Sequence, residues 1–218
     1  MAIVSKADVR RKLDSKGFDS RQMGVLAEVI YEMGLLDGTA LTASIAEINT
    51  LDNPTMTTPA GAGITGGTGT LYETSVRRVG DLIYTNIFID LTGLASSTTD
   101  LDIIGQGASV AHIGRVVAAN QGAVVAVRMT CLELPAGGAD DIDLYSADEG
   151  TGVFDAGIGT LVETALITSG GAWANGTVKA ATTVPAADQY LYLTGGEAGT
   201  AATYTAGKFL IEIIGQAS

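Results

Sequence analysis

The alternation of apolar and polar residues is clearest in the stretch DLIYTNIFIDL, from Asp81 to Leu91. Every second position carries an apolar or small side chain, namely Ile83, Thr85, Ile87, Ile89 and Leu91. The intervening positions include the more polar Tyr84 and Asn86. A period of two predicts a β-strand that covers a core with one face, because a helix would scatter these side chains around its axis.

Similar segments continue to the C-terminus and predict a mainly β protein. The strand candidates cover residues 71–79, 81–91, 101–105, 109–118, 123–134, 141–147, 160–168, 177–183, 189–195 and 208–215. Clusters of Gly, Asn, Asp and Ser separate them. Because no helical pattern lies between them to cross a parallel sheet, we predict that residues 71–218 form an antiparallel β-sandwich with jelly-roll-like topology.

Two rows of side chains are predicted to face the core of this sandwich. They are Val125, Val127, Met129 and Cys131 in one strand, and Phe209, Ile211 and Ile213 in another. Cys131 is the only cysteine, so an intrachain disulfide and a paired-thiol metal site are both excluded. Asn175 and Gly176 are typical of a hairpin turn, which also explains the glycosylation sequon that they form with Thr177.

The N-terminal part follows a different pattern and predicts a short α-helical arm over residues 1–52. Met23, Leu26, Ile30 and Met33 recur at helical spacing, and Ser44 with Glu47 forms a capping box for a further helix. Residues 53–70 are rich in Thr, Gly and Pro without any period, which predicts an extended linker.

Within this linker, Gly61, Gly63 and Gly66 spell the dinucleotide-binding pattern GxGxxG. That pattern requires a preceding strand and a following helix, and neither is predicted here. We therefore do not assign a nucleotide site to these glycines.

The net charge of −12 argues against nucleic acid or an anionic membrane as a partner of the whole molecule. Residues 1–21 nevertheless hold six basic and three acidic side chains, a net charge of +3, which leaves −15 for the remainder. A basic arm of this kind can engage an acidic surface, although an ordinary solvated helix face has the same composition. No secretory signal and no apolar run of about 20 residues occurs, which predicts a soluble protein made in the cytoplasm.

The candidate chemistry is sparse. His112 is the only histidine and no GxSxG motif occurs, so a structural role is predicted for it. The acidic residues Asp140, Asp141, Asp143, Asp148, Glu149 and Asp155 offer oxygen ligands for calcium but lack the DxDxDG register, and a solvated strand face and loop is favoured. Hydrolysis by two carboxylates stays open, since acids are plentiful, but no pair is singled out. We predict no cofactor, no metal site and no enzymatic activity.

Residues 40–53, ALTASIAEINTLDN, resemble the LTAxAAEINxLDG element of tailed-phage virion proteins, which include tail fibres and other structural components. Ile45 stands where Ala is usual in that element, and Asn53 where Gly is usual. More loosely, the segments YSADEGTGVFD and AGKFLIEIIG are similar to structural proteins of marine tailed phages. The resemblance implies a component of the virion.

Three hypotheses follow. The first is a capsid decoration or cement protein, a homotrimer that binds the outside of the shell and stabilises it through buried interfaces. Its arm would contact the major capsid protein through the charged residues Arg10, Arg11, Lys16 and Arg21 and the apolar residues Met23, Leu26 and Ile30. The alternative is a tail or head fibre whose β-sandwich binds cell-surface glycan, and the third is a capsule depolymerase.

Overall fold

The computed structural model describes residue 56 and residues 58–196 and 201–217, and these residues confirm the mainly β prediction. The strands in chain order are β1 Leu71–Val79, β2 Leu82–Asp90, β3 Ala95–Ser96, β4 Ala123–Ala136, β5 Ile142–Ala147, β6 Glu163–Ile167, β7 Val178–Ala180, β8 Tyr190–Gly195, β9 Ala202–Thr203 and β10 Ala206–Gln216. The helical elements are short: α1 Ala62–Thr65, α2 Ala118–Gln121 and a 3₁₀ turn at Ile158–Thr160. Among the described residues, no helix has the length and apolarity needed to cross a membrane.

The largest sheet has five antiparallel strands in the order β1-β2-β10-β4-β7. The C-terminal strand β10 therefore lies between β2 and β4, an arrangement that requires crossovers of the kind found in Greek-key and jelly-roll sandwiches. As predicted, the side chains of β2 alternate, with Thr85, Ile87 and Ile89 fully buried and the intervening residues half-buried.

A second sheet has three antiparallel strands in the order β6-β5-β8. Residues 101–116 run along the free edge of β8, where Ile103 bridges Thr194 and Arg115 bridges Tyr190. The sequence predicted two regular strands here, and the structure has only isolated bridges. In the second segment the physical reason is local, because Gly114 takes a positive φ of 134° that interrupts an extended chain; Gly107, with a φ of 64°, turns the chain between the two segments.

Both sheets contribute to one hydrophobic core. The five-stranded sheet supplies Ile87, Ile89, Val127, Met129, Cys131, Phe209, Ile211 and Ile213, and the three-stranded sheet supplies Ile142, Leu144, Leu191 and Leu193. Trp173 packs edge-on against Phe209 with ring centroids 5.3 Å apart. The predicted inward row of β10 and the burial of Cys131 are confirmed.

The predicted inward position of Val125 is wrong, because this side chain is 53% exposed. The pairing of β4 with β10 shifts between Ile214 and Gly215, so that Val125 is the extra residue of a β-bulge. At the same place the C-terminal end of α2 packs closely against β10, since a side chain at Gly215 would collide with the carbonyl oxygen of Gln121. Val127, two residues further along, is only 2% exposed.

The predicted linker over residues 53–70 is also corrected in its described part. Ile64 is completely buried, and the segment bonds to the strand candidate that contains His112, with the Gly61 amide donating to the His112 carbonyl at 2.9 Å. The Gly63 amide donates to the Val110 carbonyl at 2.7 Å. A Cβ at Gly61 or Gly63 would lie within 2.5 Å of a backbone oxygen, so the glycines serve close packing.

The predicted hairpin at Asn175 and Gly176 is a turn, but it does not join paired strands. The Thr177 amide closes it onto the Ala174 carbonyl at 3.0 Å, and the flanking strands β6 and β7 belong to different sheets. The two-residue hairpin of the described chain joins β1 to β2, where Val79 pairs with Leu82 and Gly80 has a φ of 61°. The predicted helical arm over residues 1–52 lies outside the described residues.

Candidate interaction surface

The five-stranded sheet has one side on the core and another that points away from it, which we name the outer face. Side chains alternate along each strand, so Tyr84, Asn86 and Phe88 of β2 lie opposite to its buried isoleucines. The strand register extends this face across the sheet. One row across the strands β2, β10, β4 and β7 consists of Phe88, Leu210, Thr130 and Val178. Another row, across β2, β10 and β4, consists of Tyr84, Ile214 and Ala126.

Large apolar side chains of the outer face contact solvent. Val178 is 55% exposed, and Phe88, Leu210 and Ile214 are each half-buried. Leu210 and Ile214 lie on the opposite parity of β10 from its core residues and alternate there with Lys208 and Glu212, so this side of the strand is partly apolar. Contiguous apolar side chains on the exposed side of a sheet mark a surface that a partner can cover.

Five of the seven charged side chains of the outer face form ion pairs within the chain. Arg128 donates two hydrogen bonds to the Glu212 carboxylate, at 2.5 and 2.8 Å, and this interaction raises the pKa of Arg128. Lys208 lies 2.5 Å from Glu133 and 3.7 Å from Asp90, and its hydrogen bond to Glu133 raises the pKa of the Lys208 ammonium. The Arg77 guanidinium lies 4.7 Å above the Tyr84 ring.

The acidic run is only partly solvated, which corrects the sequence prediction. Asp140, Asp148 and Asp155 are exposed, but Asp141 and Asp143 are only 3% and 4% exposed. They lie at the start of β5 and in the residue before it, in a sheet whose two faces are both covered. Both carboxylates pack against the backbone of Gly196. A Cβ atom added to this glycine would lie 2.5 Å from Asp141 Oδ1 and 3.0 Å from Asp143 Oδ1.

The surroundings neutralise this acidic pair incompletely. Asp143 accepts a hydrogen bond from the Ser169 amide, while Asp141 Oδ1 is buried with no hydrogen-bond partner. Burial is the main cause that raises the pKa of Asp143, and the charges of Asp141 and Asp100 raise it further. Lys179 acts in the opposite direction, but its Nζ bonds to Ser169. Within the described ranges, no group of three or more His, Cys, Asp or Glu side chains is arranged to hold a metal ion.

His112 is buried, and its ring contacts are with tyrosines rather than with the acidic pair. Its ring centroid is 4.9 Å from that of Tyr190 and 6.4 Å from that of Tyr192. Its Nδ1 atom is buried without a hydrogen-bond partner, and burial lowers the pKa of the imidazole. Cys131 donates from Sγ to the Glu133 carbonyl at 3.4 Å, and burial raises the pKa of its thiol. A neutral imidazole and a protonated thiol are poor starting points for nucleophilic chemistry.

We expect replacement of His112 by phenylalanine to change the free energy of unfolding by no more than about 1 kcal/mol at pH 7, because it removes an unpaired polar atom and keeps the aromatic contacts. The folded-state pKa of His112 is below the ordinary value near 6.5, so the unfolded chain binds the proton more readily and wild-type stability falls as the pH drops below that value. His112→Phe lacks this decline. Urea unfolding at pH 7 and pH 5 measures it, and an equal pH dependence in both proteins would contradict the assignment.

The residues predicted to contact a capsid, from Arg10 to Ile30, lie outside the described residues. Sequence reasoning missed the outer face and the burial of the acidic pair. A signal for the outer face was present in the Leu and Ile residues on the second parity of β10. In comparisons with known proteins, no family model, no curated protein and no solved structure matches this chain.

Proposed function

We propose that this chain is a structural protein of a tailed-phage virion, and specifically a capsid decoration or cement protein located on the outside of the shell. The observation that carries the proposal is the combination of a phage-like element at residues 40–53 with an acidic antiparallel β body that bears an open sheet face. A protein of this kind acts by binding: each interface that it buries on the assembled shell favours the assembled state over its separated parts.

The charge distribution supports an anchoring role for the arm. Residues 1–21 carry a net charge of +3, whereas residues 56–218 hold six basic and 16 acidic side chains, a net charge of −10. Residues 22–55 hold five acidic and no basic side chains, so within the arm it is residues 1–21 that an acidic shell surface attracts, and the body is the part that it repels. We propose Arg10, Arg11, Lys16 and Arg21 as the charged contacts to the major capsid protein, with Met23, Leu26 and Ile30 as the apolar contacts.

A fibre that binds cell-surface glycan is the second candidate, and the aromatic side chains of the body favour it less. Sugar sites use exposed aromatic rings as platforms, but the only tryptophan, Trp173, is 4% exposed and donates from Nε1 to the Ile142 carbonyl at 2.8 Å. Tyr192 and Tyr204 are fully buried. Copy number separates the two candidates, because a decoration protein is present in hundreds of copies per virion and a tail component in about a dozen or fewer.

The arm is tested by reversing its charge in the full-length chain. We expect the variant with Glu at positions 10, 11, 16 and 21 to bind empty shells of the major capsid protein about 100-fold more weakly than wild type, since each reversed contact costs roughly tenfold or less. Co-sedimentation with shells measures the affinity. Wild-type binding should weaken with added salt, and binding of the variant should depend less on salt.

A charge-preserving variant is the matched control. Exchanging Arg for Lys at positions 10, 11 and 21, and Lys for Arg at position 16, keeps every charge and should leave the affinity within about threefold. Undiminished shell binding by the charge-reversed chain, or by a chain that lacks residues 1–52, would contradict the assignment of the arm.

A further inference from the structure

We propose that the outer face of the five-stranded sheet is the surface through which copies of this chain associate with one another. This inference rests on the proposed function, for which the sequence predicts a homotrimer, and it gives that self-association a location. A sheet face that several copies turn toward a common axis is buried in each of them, so a single surface suffices for a closed assembly.

The first argument is the apolar content of this face. Phe88, Leu210, Thr130 and Val178 form a continuous row across four strands, and Tyr84 with Ile214 forms a second row. The exposed fraction of Val178 reaches 55%. Aromatic and aliphatic side chains gathered on one sheet face are typical of the buried centre of a protein interface, whereas single scattered apolar residues are normal on any surface.

The second argument is charge, and it selects the partner. The outer face carries Arg77, Arg128 and Lys208 together with Glu73, Asp90, Glu133 and Glu212, a net charge of −1. The rest of residues 56–218 carries three basic and 12 acidic side chains, a net charge of −9. Two copies therefore repel each other wherever their remaining surfaces meet, and the outer face is where they can approach.

The third argument is that two of the three cations of this face are held in ion pairs within the chain, and the third, Arg77, lies over the Tyr84 ring. Arg128 is held by Glu212, and Lys208 by Glu133 and Asp90. Nucleic acid or a strongly acidic protein is bound through cations that are free to leave their own partners, and such a ligand would have to break these pairs. A surface of the same composition, apolar and internally neutralised, satisfies the outer face without that cost. A second copy of this chain supplies such a surface.

The test is sedimentation equilibrium of the purified full-length chain, without shells, over a concentration series that reaches about 100 μM. We expect wild type to form a defined assembly. The double variant Val178→Lys, Leu210→Lys should weaken the association by about 100-fold or more, since each charge buried at the interface costs at least about tenfold. The matched control is Val162→Lys, because Val162 is a comparably exposed valine, at 61%, next to β6 of the other sheet.

Each outcome decides the question. Loss of the assembly in the double variant with retention in Val162→Lys supports the proposal, provided that far-ultraviolet circular dichroism shows both variants folded. If the double variant does not fold, Thr130→Lys places one charge in the same row and is expected to weaken association by about tenfold. A monomeric wild type, an assembly that the lysines leave intact, or equal loss in Val162→Lys overturns the proposal. Since no shell is present, none of these outcomes depends on whether the arm binds a capsid.

Discussion

Replacement of Phe209 by alanine is expected to lower the free energy of unfolding by about 3–5 kcal/mol, the largest loss for any single substitution considered for this chain. Phe209 is fully buried and belongs to β10, the strand between β2 and β4. Its ring packs against the ring of Trp173, which lies outside both sheets. Its removal leaves a cavity where both sheets supply side chains, so neither sheet can close over it alone. Urea unfolding followed by Trp173 fluorescence measures the loss, which corresponds to a fall in Tm of roughly 10 °C.

Two valines of β4 provide the control, because they differ in burial and not in chemistry. Val127→Ala should cost about 1–2 kcal/mol, and Val125→Ala should cost less than about 0.5 kcal/mol. The β-bulge predicts this difference, whereas a regular strand would give equal losses for the two residues. Equal losses for the two valines would contradict the bulge. A Phe209→Ala variant as stable as wild type would show that the two sheets do not share the core at this residue.

Replacement of Asp141 by asparagine is expected to stabilise the protein by about 1–3 kcal/mol at pH 7, the usual cost of a buried polar group that lacks a partner. Asp141 Oδ1 has no hydrogen-bond partner and lies beside Asp143, whose pKa is raised mainly by burial. The asparagine removes one of two neighbouring negative charges and supplies an amide that can donate to the remaining carboxylate.

The pH dependence of this gain follows from the direction of the Asp143 pKa shift. The folded-state pKa of Asp143 lies above its unfolded value of 3.8. The contribution of Asp143 to the free energy of unfolding is therefore most favourable below pH 3.8, and it is lost as the pH rises through the folded-state pKa. The part of the advantage of Asp141→Asn that comes from relieving repulsion of Asp143 should therefore be present at pH 7 and lost near pH 3.5, so that the total advantage is smaller at the lower pH. Thermal unfolding across this range measures it.

The matched control is Asp140→Asn, which makes the same change of charge one residue earlier, on an exposed side chain. It should alter stability by less than about 0.5 kcal/mol at either pH. Addition of calcium tests the alternative role of the acidic run. Stabilisation of wild type by calcium that disappears in Asp141→Asn would mean that the carboxylates hold a cation, and the gain predicted for the asparagine would then be a loss.

The sequence determined those features that depend on local backbone geometry. Side chains of an extended chain alternate between two faces, so the isoleucines of β2 and the inward row of β10 could be assigned from spacing alone, as could the mainly β class. The burial of Cys131 could be predicted for the same reason, because its position lies on the apolar side of a strand. None of these predictions requires knowledge of which strands are neighbours.

Only the tertiary structure decided the features that depend on residues distant along the chain. Val125 leaves the core because its partner strand β10 shifts register by one residue. The acidic pair is buried because Gly196 packs against both carboxylates and the Ser169 amide bonds to Asp143. The glycine-rich stretch from Gly61 belongs to the body because residues 109–112 accept its amides. A period of two is a property of one strand, whereas a bulge, a buried carboxylate and an outer face are properties of the strands and loops that meet there.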